Sequence, residues 1–132
     1  SDKLFKCGAG LTSYYVDPFG ALSPCLMTTQ HRWETEPGGF ERTWNDDVGD
    51  IRERKPSRSD YECNSCEKQS LCTGCPAFNF LETGEEDRKS EYVCATTQAR
   101  WSALFGDQTP AEVDFEYEQT KAGSHPSLPI LK

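Results

Sequence analysis

Apolar residues along this chain fall in short, interrupted runs, and the period of those runs predicts the elements. Leu11–Val16 is dense in aromatic and β-branched residues and predicts a strand. Asp17-Pro18-Phe19-Gly20 is a turn signal, with Pro placed for the first corner. Ala21–Met27 returns as a second strand, so Leu11–Met27 reads as a β-hairpin. Such a hairpin brings Cys7 and Cys25 toward the same end of the structure. Residues 28–37 are polar and irregular and predict a solvated loop. His31 lies in that loop with no His or Cys at ligand spacing, and reads as a surface residue.

Further on, the period changes to that of a helix. Trp44, Val48 and Ile51 recur at i, i+4 and i+7 and predict an amphipathic helix over residues 43–54, with Trp44 as a core anchor. Lys55-Pro56-Ser57 ends it. Phe78, Phe80 and Leu81 are expected to give apolar cover to the cysteine-rich stretch before them. The charge run from Glu82 to Arg88 reads as solvated. Ser90 is suited to cap a helix from Glu91 to Phe105, with Gly106 as its stop, and places Cys94, Trp101 and Phe105 on an inward stripe. Val113–Glu118 alternates as an edge strand or a loosely held tail would, and His125 has no partner. The predicted fold class is small α+β and cluster-stabilised, an N-terminal β-hairpin followed by cysteine-rich loops and short helices. It spans 1–106, with 107–132 as a C-terminal tail or linker.

Composition narrows what this domain can do. Only 35% of the 132 residues are hydrophobic and 27% are charged, a thin supply for a core of this length, so other staples are needed. Asp and Glu number 22 against 14 Lys and Arg, a net charge of −8, which excludes a partner held by its phosphate backbone. No apolar run approaches the roughly 20 residues that a bilayer span needs. The chain opens at Ser1 without Met and reads as a piece of something longer. Thiols used as ligands suit a reducing, cytoplasmic setting.

The staples are the seven cysteines. Cys63, Cys66, Cys72 and Cys75 stand as C-x2-C-x5-C-x2-C, followed by Pro76. Two intervening residues let both sulfurs of a pair turn toward one centre, whereas a disulfide across so short a loop is strained. An odd total also argues against a disulfide framework. Two four-ligand sites need eight ligands, so seven thiols imply two sites with one ligand missing or replaced. In two-cluster ferredoxins the cysteine of a Cys-Pro ending serves the other cluster. Applied to this chain, Cys63, Cys66, Cys72 and the helix thiol Cys94 hold one centre. Cys75 then joins Cys7 and Cys25 at the second.

Cys7, twelve residues, Gly20, four residues and Cys25, followed by the Cys63–Cys75 cluster and the distant Cys94, resemble the seven-cysteine SPASM domain of radical S-adenosylmethionine enzymes. The resemblance covers residues 7 to about 105 and takes in Gly39-Phe40 and Trp44. The last cysteine pair is separated by two residues where the family pattern has three. The resemblance implies two auxiliary [4Fe-4S] clusters, the first on Cys7, Cys25 and Cys75 and the second on Cys63, Cys66, Cys72 and Cys94. Some members have an eighth cysteine before the first. This chain has none there, which leaves a position at the first cluster for a substrate atom, solvent or a non-cysteine group, or a ligand lost at the chain start.

The family's C-x3-C-x2-C triad, which holds the cluster that cleaves S-adenosylmethionine, does not occur in this sequence. The resemblance therefore implies an auxiliary electron-transfer or substrate-positioning domain of a peptide-modifying maturase, inactive alone. Its expected partners are a radical catalytic domain that binds S-adenosylmethionine, a peptide or protein substrate and a reductant protein, with no nucleic acid and no membrane. The alternative is a structural zinc-binding interaction module, because four-thiolate sites also suit zinc.

Overall fold

A computed structural model describes residues 2–113. Within it the N-terminal region forms a three-stranded antiparallel sheet in the order β1 (Tyr15–Val16), β2 (Ala21–Ser23), β3 (Trp33–Glu34). Tyr15 stands opposite Ser23 and Val16 opposite Leu22, while Ala21 pairs with Glu34 and Leu22 with Trp33. Asp17 organises the β1–β2 turn. Its Oδ1 accepts from the backbone N–H of Phe19 (2.8 Å) and of Ala21 (3.0 Å), and Arg32 of the third strand's approach binds Oδ2 at 2.6 Å. The hairpin is present as expected, but its strands are shorter. Residues 11–13 instead fold back on Gly8, whose carbonyl accepts from the N–H groups of Leu11, Thr12 and Ser13. Their backbone bonds are used locally and never reach a ladder.

Part of the stretch expected to be a solvated loop is β3, because Trp33 has a core to pack on. That core is Leu4, Phe5 and Ile51, with Trp33 and Tyr61 against it. Leu4 also donates its N–H to the carbonyl of Arg54 at 2.8 Å, which ties the chain start to the end of the following helices.

The single helix expected over 43–54 is two, α1 (Phe40–Asn45) and α2 (Asp47–Glu53), broken at Asp46. Val48, Gly49 and Ile51 are buried on α2. Trp44 is not a core anchor. It stacks on Phe40 at 6.0 Å, with Tyr14 edge-on at 5.7 Å and the Arg52 guanidinium 5.3 Å from its ring. The break at Asp46 uncouples the face that carries Trp44 from the face that carries Val48 and Ile51, which one continuous helix would have aligned. Gly10 makes the close approach of the N-terminal loop to α2. At φ +68° a Cβ there would lie 2.8 Å from Val48 Cγ1, so any other residue would both strain the backbone and clash.

Two 3₁₀ turns (Glu62–Ser65 and Gln69–Leu71) carry the cysteine-rich stretch into α3 (Pro76–Thr83). Helix α4 (Glu91–Phe105) follows a short connection. Ser90 caps α4 by accepting from Val93 N–H at 3.2 Å, and Gly106 lies just past its end, both as the sequence predicts. The fold is thus small α+β, a short sheet and four α-helices among the described residues. The alternating stretch after Val113, the rest of the expected tail and His125 lie outside the described residues.

Candidate metal centre

All seven cysteines are free thiols. Local structure explains how each arrives. The amide of Gly10 donates to the carbonyls of Ser13 (2.8 Å) and Pro24 (3.2 Å), which joins the loop after Cys7 to the loop before Cys25. Cys75 is the N-cap of α3: Pro76 opens the helix, where its missing N–H costs nothing, and the Cys75 sulfur accepts from Phe78 N–H at 3.3 Å. Cys94 lies in the first turn of α4, with its N–H bonded to the capping residue's carbonyl at 3.0 Å. Gly74, between the last two cluster cysteines, sits where a Cβ would be 3.2 Å from both Cys72 Sγ and Val93 Cγ1. A bare backbone is what lets that loop close on α4.

The thiols influence one another in two sets. Burial raises the Cys63 thiol above the ordinary range, and the charges of Cys94, Cys72 and Cys66 push it further, while a hydrogen bond with Tyr61 pulls it back. Burial likewise raises Cys94, with Cys72 and Cys66 adding to it and Lys89 opposing. Cys75 is raised first by burial, against the helix N–H groups of Phe78 and Ala77, and its thiol neighbours are Cys7 and Cys25. The charges felt at Cys63 and Cys94 thus come from within Cys63, Cys66, Cys72 and Cys94, and those felt at Cys75 come from Cys7 and Cys25. A cavity of about 360 Å³ is bordered by Cys63, Cys66, Cys72 and Cys94, and by Cys7 and Cys75 as well. Cys25 lies off it.

The apolar cover of this cavity comes from Leu4, Pro76 and Val93, not from Phe78, Phe80 and Leu81. Leu81 is half exposed, because α3 turns Pro76, Ala77 and Asn79 inward instead. Backbone amides reach three of the sulfurs. Gly10 spends its N–H on carbonyls, and the amides that reach thiols are Met27 to Cys25 (3.4 Å), Gly74 to Cys72 (3.3 Å) and Phe78 to Cys75.

Three further side chains, His31, Glu86 and Asp87, escape sequence reasoning. His31 is buried, not a surface residue, and its Nε2 lies 2.5 Å from Glu86 Oε1. Glu86 also accepts from Gln30 Nε2 at 2.7 Å and from Arg54 Nη1 at 2.8 Å. Asp87 is buried too and accepts from Ser57 N–H, Ser57 Oγ and Arg58 N–H. The charge run 82–88 is therefore a brace, and its pattern could not reveal this because the partners lie 27 to 56 positions away.

Among the described residues, no three His, Cys, Asp or Glu side chains close on a point where one metal ion would sit. Zinc holds its thiolates about 2.3 Å from the ion and hence tightly together. An iron–sulfur group of several atoms separates its thiolates more widely. An all-thiol donor set is chemically suited to either group. No protein-family model, no curated protein and no solved structure matches the chain.

Proposed function

We propose that this chain is an auxiliary iron–sulfur domain of a radical S-adenosylmethionine enzyme that modifies a peptide or protein. Cys63, Cys66, Cys72 and Cys94 hold one [4Fe-4S] cluster, and Cys7, Cys25 and Cys75 hold another with one position left to a non-cysteine group. The observation that supports this reading is the meeting of six free thiols, Cys7, Cys63, Cys66, Cys72, Cys75 and Cys94, at one cavity of about 360 Å³, brought there from three separate stretches of the chain. Bound clusters supply one-electron transfer at potentials set by charge, hydrogen bonds and solvent access. The chain's own residues do the rest. The amides of Gly74, Met27 and Phe78 place donors on three sulfurs, Leu4, Pro76 and Val93 give the cavity apolar surface, and the cysteines join four distant segments. The catalytic domain that cleaves S-adenosylmethionine, a peptide substrate and a reductant protein are its partners, in a reducing compartment.

Anaerobic purification tests the reading. A brown protein with iron and sulfide for two clusters is expected, with Cys72→Ser losing one cluster and Cys75→Ser the other. A colourless chain that binds zinc at the same thiols overturns it in favour of a structural zinc module. Loss of the same cluster in both variants overturns the division of ligands.

A further inference from the structure

Tyr14, Phe40 and Trp44 meet as three aromatic rings at the surface, and none of them borders the thiol cavity. Phe40 and Trp44 share one face of α1 at i and i+4 and stack nearly parallel, 10° apart, while Tyr14 stands edge-on to both. Tyr14 is 55% exposed and Phe40 41%. Arg52 anchors the cluster. Its Nη1 donates to the Gly10 carbonyl at 2.9 Å, which holds the guanidinium 5.3 Å from the Trp44 ring. The three ring centres lie 5.1, 5.7 and 6.0 Å apart, so the rings fill the space between them and leave no cage for a cation to enter. What the cluster offers is its outer surface.

Charge decides what that surface can take. Glu36 and Glu41 flank Phe40 along the chain and are both exposed, and a turn closed by the Gly39 N–H on the Glu36 carbonyl (2.8 Å) leads straight into α1. Among the described residues neither carboxylate is in an ion pair, whereas neighbouring Arg42 is engaged by Asp47 at 3.8 Å. We propose that the Tyr14–Phe40–Trp44 surface docks a short peptide segment in which an arginine lies on the Phe40 ring, beside the Glu36 and Glu41 carboxylates, with an apolar neighbour against Tyr14. A planar guanidinium stacks on an aromatic face while its edge donates to carboxylates, a combination that an ammonium meets less well. The Arg52–Trp44 contact is the same pairing made within the chain. Size selects a peptide over a folded partner or a second copy. Rings of about 150–250 Å², exposed to this extent at Tyr14 and Phe40, present roughly 200 Å², well short of the ~800 Å² per partner that a stable protein interface buries. The inference goes beyond the iron–sulfur reading and does not rest on it.

The test is a nuclear magnetic resonance titration of the full, isotope-labelled chain with a short blocked peptide of glycine and serine that carries one arginine followed by one leucine. Counterparts with citrulline, lysine or glutamate in place of the arginine are titrated alongside; citrulline keeps the planar shape and removes the charge. Saturable shifts of the Tyr14, Phe40 and Trp44 amide signals are expected, with the arginine peptide bound about threefold more tightly than the citrulline peptide. Phe40→Leu keeps the apolar bulk and should weaken the arginine peptide by about threefold. Glu36→Gln together with Glu41→Gln should abolish the preference for arginine over citrulline. Arginine and citrulline peptides that bind the parent alike overturn the proposal, as does an affinity untouched by Phe40→Leu or the absence of saturable shifts at these amides. Shifts of the same amides with chain concentration alone, with a dimer in sedimentation, overturn it in favour of a second copy of the chain. A chain that takes up no iron and sulfide yet binds the arginine peptide fails the iron–sulfur reading alone.

Discussion

Glu86→Gln tests whether the brace behind the thiol cavity depends on a charge. The carboxylate joins three elements: Gln30 and His31 before β3, Arg54 at the end of α2, and the α3–α4 connection that carries Glu86 itself. The His31 and Glu86 side chains are only 9% and 12% exposed, whereas Arg54 is 42% exposed. The Arg54 pair is therefore screened and contributes little. The His31 contact is shielded, and losing a charged hydrogen bond there costs roughly 1.5–3 kcal/mol. The variant keeps one acceptor oxygen, so about 2 kcal/mol is expected. Urea denaturation of the metal-free chain under reductant, followed by tryptophan fluorescence, reads this as a midpoint lower by about 1 M, at a slope of roughly 2 kcal/mol/M.

The pH dependence supplies the sign. Burial by itself would raise Glu86, but the hydrogen bond and charge of His31, the charge of Arg54 and the Gln30 bond outweigh it and lower it below its ordinary value. A lowered carboxylate contributes stability that is fully present above its unfolded value of about 4.3 and lost as pH falls through the folded value. The gap between parent and variant is therefore full at pH 7 and closes below about pH 4. A gap under about 0.5 kcal/mol at pH 7, or one equally wide at pH 3, refutes the reasoning.

Gly74→Ala sets a methyl 3.2 Å from Cys72 Sγ and Val93 Cγ1, so the loop must shift by a few tenths of an ångström, and a loss of up to about 1 kcal/mol is expected, with less iron retained after reconstitution; unchanged iron content and an unchanged urea midpoint would count against the close-approach argument. Cys63, Cys75 and Cys94 are raised in the metal-free fold, chiefly by burial, so the folded state holds their protons more tightly than the unfolded chain does. Stability of the metal-free chain is then full below about pH 8.5 and falls as pH rises through the raised values. The loaded chain, its thiols already deprotonated, should show no such fall. Denaturation curves from pH 7 to pH 10 on both forms check this, and a metal-free chain that gains stability with alkalinity would contradict it.

The features legible in the sequence are those whose physics is local. The Asp17–Gly20 turn is held by Asp17's own side chain, and the Ser90 cap and the Gly106 stop by residues within four positions. The helix over 91–105 follows from its cap and its stop. The C-x2-C spacings likewise keep each pair of thiols close through local backbone alone. Tertiary structure decided what depends on partners far along the chain. His31 and Glu86 read as a surface residue and part of a solvated run because neither has a partner nearby in sequence, yet 55 positions apart they form a shielded pair. Trp44 has helical spacing to Val48 and Ile51, but a break at Asp46, followed by packing on Phe40 and Tyr14, assigns it to another face. Spacing could not show Asn79 turned inward either, since its amide's orientation is settled only when Ser90 and Glu86 arrive from the other side. A sequence specifies which groups can bond across short loops; which distant groups meet, and at what burial, is set by the packing of the whole.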